Sequence, residues 1–189
     1  DNYDAVFRGT TDILAKSGPI NLLGRQSSGI ADGVWFISGA FNLGSKLGSA
    51  DVATSSSDIT IKYDNYNFSG LNPSFATTGK IVWAPTDQTG RFSQTALPSW
   101  FAWNQNSQTA SGITIGSVAN TAGIGIDRAL SANGNIQLLG GDITIYQNLT
   151  ATGGNIVLDA DTGTTLAKST HGINLAAGVV LRTITSGDI

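Results

Sequence analysis

The chain predicts an all-β fold, a parallel β-helix (β-solenoid) in which short strands stack from one rung to the next. Three observations predict it. A Gly and a short polar residue come repeatedly before an apolar-x-apolar pair. These cassettes return on average about every 21 residues, the period of a solenoid repeat. The composition is also poor in helix formers. The chain has no Met and 24 Gly, and none of its 13 acidic residues is Glu. Glu and Met favour helix, whereas Gly opposes it and Ser, Thr and Asn prefer caps and turns.

The clearest cassettes are Gly134-Asn135-Ile136-Gln137-Leu138, Gly141-Asp142-Ile143-Thr144-Ile145 and Gly154-Asn155-Ile156-Val157-Leu158. On a strand, residues two apart face the same way. Ile136/Leu138, Ile143/Ile145 and Ile156/Leu158 therefore point inward, and Gln137, Thr144 and Val157 point outward. Gly, Asn and Asp tolerate the positive φ of a sharp corner, so each cassette reads as a corner feeding a strand.

Aligning the first apolar residue after each corner gives Ile20, Phe41, Ile59, Ile81, Ile113, Ile136, Ile156, Ile173 and Ile189. These starts predict about eight rungs of roughly 20 residues, a rod on the order of 40 Å long at the β-strand spacing. A leucine-rich repeat has a similar period but needs a recurrent helix and its own leucine signature, neither of which is present. Inside the rod Ile should stack on Ile and Leu on Leu. Thr60 and Thr114 join Gln137 and Thr144 on the polar outside, with Val82 and Val157 as apolar exceptions. Asn135 and Asn155 recur at one corner position and suggest a structural hydrogen-bonded ladder.

In chain order, residues 1–189 read as a single β-helix segment of a longer protein. The closing Gly187-Asp188-Ile189 looks like the start of another cassette. Trp35-Phe36 and Trp83 lie in or beside cassettes and are expected in the core. Ser45 to Ser57 reads as a mobile loop. Residues 88–110 fill the longest gap and read as a loop excursion from one rung, with Pro98 forbidding a central strand. Its Phe92, Trp100, Phe101 and Trp103 form a candidate contact patch, because flat aromatic faces suit sugars and protein surfaces.

Charge and side-chain chemistry exclude several functions. A net charge of −3 argues against nucleic acid as a partner. The absence of Cys excludes thiol catalysis and thiolate metal sites. The one His, His171, stands in a polar corner and reads as inert. No nucleotide-binding or hydrolase signature appears, so no catalytic residue and no cofactor are expected. Asp159 and Asp161 are the one weak metal candidate, resembling the start of a calcium loop that lacks its remaining ligands. Asn67 and Asn148 head N-x-S/T triplets, a pattern usually accidental in a bacterial protein.

At this point the repeat text itself becomes informative. SGITIGSVANTAGIGIDRALSA, followed closely by GNIQLLGGDITIYQNLTATGGNIVLDA, resembles the repeat region of filamentous-haemagglutinin-like exoproteins. These are large bacterial surface adhesins exported by two-partner secretion. The resemblance is close over residues 111–189 and one of rhythm before that. It implies a right-handed β-helix, secreted or on the outer cell surface, with an outer-membrane secretion partner. It also implies adhesion to a host or matrix glycan or protein, and offers no catalytic residue to carry over. The N-P-N motif of the family's secretion domain is not matched by Asn72-Pro73-Ser74, which places this segment in the shaft. Two other functions fit the same pattern. One is a subunit of an extracellular filament that associates end to end; the other is a carbohydrate-binding or polysaccharide-cleaving β-helix module.

Overall fold

A computed structural model describes residues 3–23, 32–46, 48–62, 66–68, 71–84, 109–118, 120, 123–126, 129–160, 172–185 and 187–189, with backbone alone over 3–7, 32–40, 66–68 and 71–73. Among the described residues there are seventeen strands and no helix, and every pairing is parallel.

The longest sheet stacks β3 (Ile20–Leu23), β5 (Ile59–Lys62), β8 (Lys80–Ala84), β9 (Gly112–Gly116), β12 (Ile136–Leu139) and β15 (Ile156–Asp159). Their register aligns Ile20, Ile59, Ile81, Ile113, Ile136 and Ile156 in one column. Leu22, Ile61, Trp83, Ile115, Leu138 and Leu158 form the second. β-branched side chains pack well on a pleated surface, which favours such columns.

Two smaller sheets accompany it in the second half. One stacks β10 (Ile124–Ile126), β13 (Ile143–Ile145) and β16 (Ile173–Leu175); the other stacks β11 (Leu130–Ala132), β14 (Leu149–Ala151) and β17 (Leu181–Thr183). From β9 to β17 the chain visits the long sheet, the first small sheet and the second in that order, three times over.

The first half does the same with different partners. β1 (Tyr3–Arg8) and β6 (Tyr66–Phe68) pair with the first part of β4 (Asp32–Gly44), while β2 (Thr11–Leu14) and β7 (Leu71–Ala76) pair with its second part. Each such pass closes on the long sheet, at β3, β5 and β8. Asn72-Pro73-Ser74 lies in β7, which pairs with β4 as its one neighbour among the described strands. An edge position tolerates the missing proline N–H.

The expected single column of nine starts therefore needs correction. Phe41 belongs to β4 and pairs with Thr11, and Ile173 pairs with Ile143. Both lie on other sheets, so passes through the long sheet are longer and less even than a 20-residue rung. The cause is local likeness: every sheet's strands are entered through the same Gly-polar-apolar corner.

The core is a continuous aliphatic cluster running from Ile20 to Ile156, with Phe41, Phe75 and Trp83 among its largest members. Ile59, Ile136, Leu138, Ile143, Ile145 and Leu149 are fully buried. Burial of each such side chain is worth roughly 1.5–3 kcal/mol, which makes these columns the main source of stability.

Among its described residues the segment from Ser45 to Ser57 forms no strand, as expected for a loop, but parts of it are held in the interior. Ser45, Ser55 and Ser57 are buried, and their hydroxyls donate to the carbonyls of Ala76 (3.2 Å), Ala15 (2.6 Å) and Ala15 (3.1 Å). Thr77 continues this hydroxyl stack, donating to the Ser57 carbonyl at 2.6 Å. Buried polar groups bonded in this way avoid the cost of an unmet partner.

Among the corner glycines Gly18 has the expected positive φ (+92°), but others act differently. Gly79, Gly134, Gly154 and Gly187 do not have positive φ. A Cβ on Gly134 would instead run into the Ser111 carbonyl, and one on Gly154 into the backbone of Gly134 and Asn135. Close approach of successive passes demands Gly here.

Candidate functional site

The aromatic contact patch (Phe92, Trp100, Phe101 and Trp103), most of the 88–110 excursion, Asp161 and His171 lie outside the described residues. Thr109 and Ala110, at the end of the excursion, are described: their carbonyls accept from Asn133, the Ala110 carbonyl from the N–H at 2.7 Å. Asp159 is exposed at the end of β15, and its backbone carbonyl accepts from the Gly140 N–H at 2.9 Å. Among the described residues no three His, Asp or Glu side chains converge on a point suited to a metal ion, and no helix is long and apolar enough to cross a membrane.

The described residues instead present a patterned outer face on the long sheet. The residue just before each Ile of the first column faces the corner. Where that residue is Asp or Asn, its side-chain oxygen accepts from the backbone N–H at the same position in the next pass. Asp58 accepts from Lys80 at 2.7 Å, Asn135 from Asn155 at 2.9 Å, and Asn155 from Asp188 at 3.0 Å. The smaller sheets repeat the device, Asp142 accepting from Gly172 (3.1 Å) and Asn148 from Val180 (2.8 Å). The ladder expected from Asn135 and Asn155 therefore exists. It runs from side chain to backbone, because a backbone N–H at a corner has no strand partner and needs an acceptor. Asn148, the head of one N-x-S/T triplet, is one of its members.

The ladder has no side-chain acceptor at Pro19, Lys80 and Gly112, and of these Gly112 alone has no side chain at all. Gly112 occupies the corner position between Lys80 and Asn135 and has no side chain to offer. Among the described residues no side chain accepts from the Asn135 N–H. The gap opens a surface notch of about 160 Å³ lined by Lys80, Val82, Gly112, Thr114, Asn135 and Gln137. The Thr114 hydroxyl donates to Oε1 of Gln137 at 3.1 Å, which leaves the Gln137 amide NH₂ free of that bond. Asn135 likewise commits Oδ1 to Asn155 and keeps its NH₂.

A second polar group sits on β2 and β4. Asp12 accepts from Nζ of Lys46 at 2.8 Å and from Nδ2 of Asn42, its register partner, at 2.7 Å. The Lys46 hydrogen bond, then that of Asn42, holds the Asp12 carboxyl below its ordinary value against a small opposing effect of burial. The pair is well exposed, so it braces the surface weakly.

Compared with protein-family models, curated proteins and solved structures, the chain matches none. The site therefore has to be judged on its own chemistry. Reasoning on the sequence placed Gln137, Thr114 and Val82 correctly on the outside. It missed Lys80 and Gly112 as a pair. The signal was present in the column Asp58, Lys80, Gly112, Asn135, Asn155, where one member lacks a side chain.

Apolar side chains are also exposed in the last described pass. Ile173 and Leu175 are 46% and 50% exposed although their partners Ile143 and Ile145 are fully buried. Val180, Ile184 and Ile189, later in the chain, are exposed as well.

Proposed function

We propose that the chain is a length of shaft from a secreted bacterial surface adhesin, a right-handed parallel β-helix that extends or presents a contact surface and performs no catalysis. The reading includes export through an outer-membrane partner and adhesion to a host or matrix glycan or protein. One observation carries it: the cyclic order of sheets, with aliphatic columns inside and a backbone-capping ladder at the corners. That order converts length of sequence into length of molecule, as a shaft requires. The resemblance of residues 111–189 to exoprotein repeats supports the same reading.

An antibody raised against the folded chain tests it on intact cells of the source organism. It should label the outer surface and reduce attachment. Label that reaches its target only after the cells are opened would contradict the reading.

A second reading is a filament subunit that stacks end to end. Unpaired strand edges accept further strands readily. Sedimentation over a range of concentrations separates the two, since a filament subunit grows with concentration and a shaft segment stays monomeric.

A further inference from the structure

We propose that the notch over Gly112 binds a carboxylate carried on a sugar ring, that is, a uronate residue of an acidic polysaccharide. The inference goes beyond the shaft reading and does not depend on it. It starts from the broken ladder. At Asp58, Asn135 and Asn155, a side-chain oxygen takes the N–H of the next pass. At Gly112 that oxygen is missing, and a Cβ built there would lie 3.9 Å from the Asn135 nitrogen and 3.4 Å from its carbonyl oxygen. A ligand carboxylate oxygen placed there completes the ladder.

The surroundings suit an anion. Lys80 lines the notch and, among the described residues, its ammonium forms no ion pair; the Asp58 carboxylate nearby is engaged by the Lys80 backbone N–H. Both amides at the notch have committed their oxygens, Asn135 to the Asn155 N–H and Gln137 to the Thr114 hydroxyl. Each keeps its NH₂ as a donor not engaged by those bonds. Lysine, two amide NH₂ groups and a backbone N–H make a set rich in donors, and hydrogen bonds to a charged acceptor are the strong kind. A neutral sugar offers hydroxyls that both donate and accept, so it gains less from such a set.

The rest of the notch favours a sugar over an acidic peptide. The long sheet is paired on both sides at β8, β9 and β12, so no free backbone edge is on offer for strand addition. Recognition falls to side chains. Val82 supplies an apolar surface for the C–H face of a ring, beside the polar donors that orient it.

The experiment is a titration followed by amide NMR, with sodium glucuronate as the probe and glucose and sodium acetate as comparisons. Glucuronate should shift the amide signals of Lys80, Gly112 and Asn135 and the side-chain NH₂ of Gln137, and acetate should bind at least about tenfold more weakly. Glucose should leave these signals in place. Gly112→Asn restores the missing side chain; its Cβ would sit 3.4 Å from the Asn135 carbonyl, an ordinary contact, at a backbone angle open to any residue. That variant should stay folded, by its circular dichroism and denaturation midpoint, and lose the shifts. Lys80→Gln should weaken binding about tenfold. Equal response to glucose, equal response to acetate, no response to glucuronate, or shifts that persist in folded Gly112→Asn would each overturn the proposal.

Discussion

The backbone N–H of Asn155 donates to Oδ1 of Asn135 at 2.9 Å, one pass beneath it, and both residues stand just before a buried Ile. The bond joins two corners that strand pairing leaves unpaired. Asn135→Ala should cost about 1 kcal/mol by urea denaturation, the usual net worth of one such bond. Asn135→Asp keeps the acceptor and should fall within about 0.5 kcal/mol of the parent chain. Equal losses from both variants would show that the side-chain oxygen is not what matters.

Ile136 lies between Ile113 and Ile156 and is fully buried. Ile136→Ala should cost about 2–5 kcal/mol through lost burial and the cavity left behind. Gln137→Lys, one residue on but facing out, should change stability by no more than about 0.5 kcal/mol. Denaturation midpoints for the two variants check the inside–outside alternation directly.

The glycines divide by what lies beneath them. Gly116 has φ of +87°, and a Cβ there would run into the Leu139 carbonyl oxygen. Gly116→Ala should lose at least about 1–2 kcal/mol from backbone strain alone. Gly172 stands at a corner with the same look in sequence, yet a Cβ there meets nothing within 4 Å. Gly172→Ala should be neutral or stabilise by about 0.4–1 kcal/mol, through a less flexible unfolded chain. Thermal melts of the two variants should move apart.

Asp12 is held below its ordinary pKa by Lys46 and Asn42. A carboxyl lowered in the folded state contributes stability above its unfolded pKa, and loses it as pH falls through the folded value. The contribution should be complete above about pH 4 and fade below it. Because the pair is exposed, its worth is at most about 1 kcal/mol and shrinks with added salt. Asp12→Asn should therefore lower the denaturation midpoint slightly at neutral pH and leave it unchanged in strong acid.

The repeat was legible because strand periodicity is local. Ile136/Leu138 and Ile156/Leu158 alternate with Gln137 and Val157 as any half-buried strand does, and they stack in register. What sequence could not give was the sheet to which each strand belongs. Gly39-Ala40-Phe41-Asn42-Leu43 and Gly172-Ile173-Asn174-Leu175 carry the same corner signal as the long sheet. Only pairing across some 30 residues, Thr11 with Phe41 and Ile143 with Ile173, separates them. The reason for glycine at these corners was hidden likewise. Contact with the Ser111 carbonyl restricts Gly134, and that neighbour is known only once the passes are stacked. The notch was half visible, as a corner column with one side chain missing.

In-register stacking along the long sheet is the claim on which the rest depends, and one distance measures it. The chain has no Cys, so Thr60→Cys and Val157→Cys accept spin labels at two chosen sites. Register carries Thr60 through Val82, Thr114 and Gln137 to Val157, four strand spacings away. Electron paramagnetic resonance on the doubly labelled chain should give one narrow distance near 19 Å, about 4.8 Å for each spacing. A broad distribution, or a distance of about twice that value, would contradict the stack.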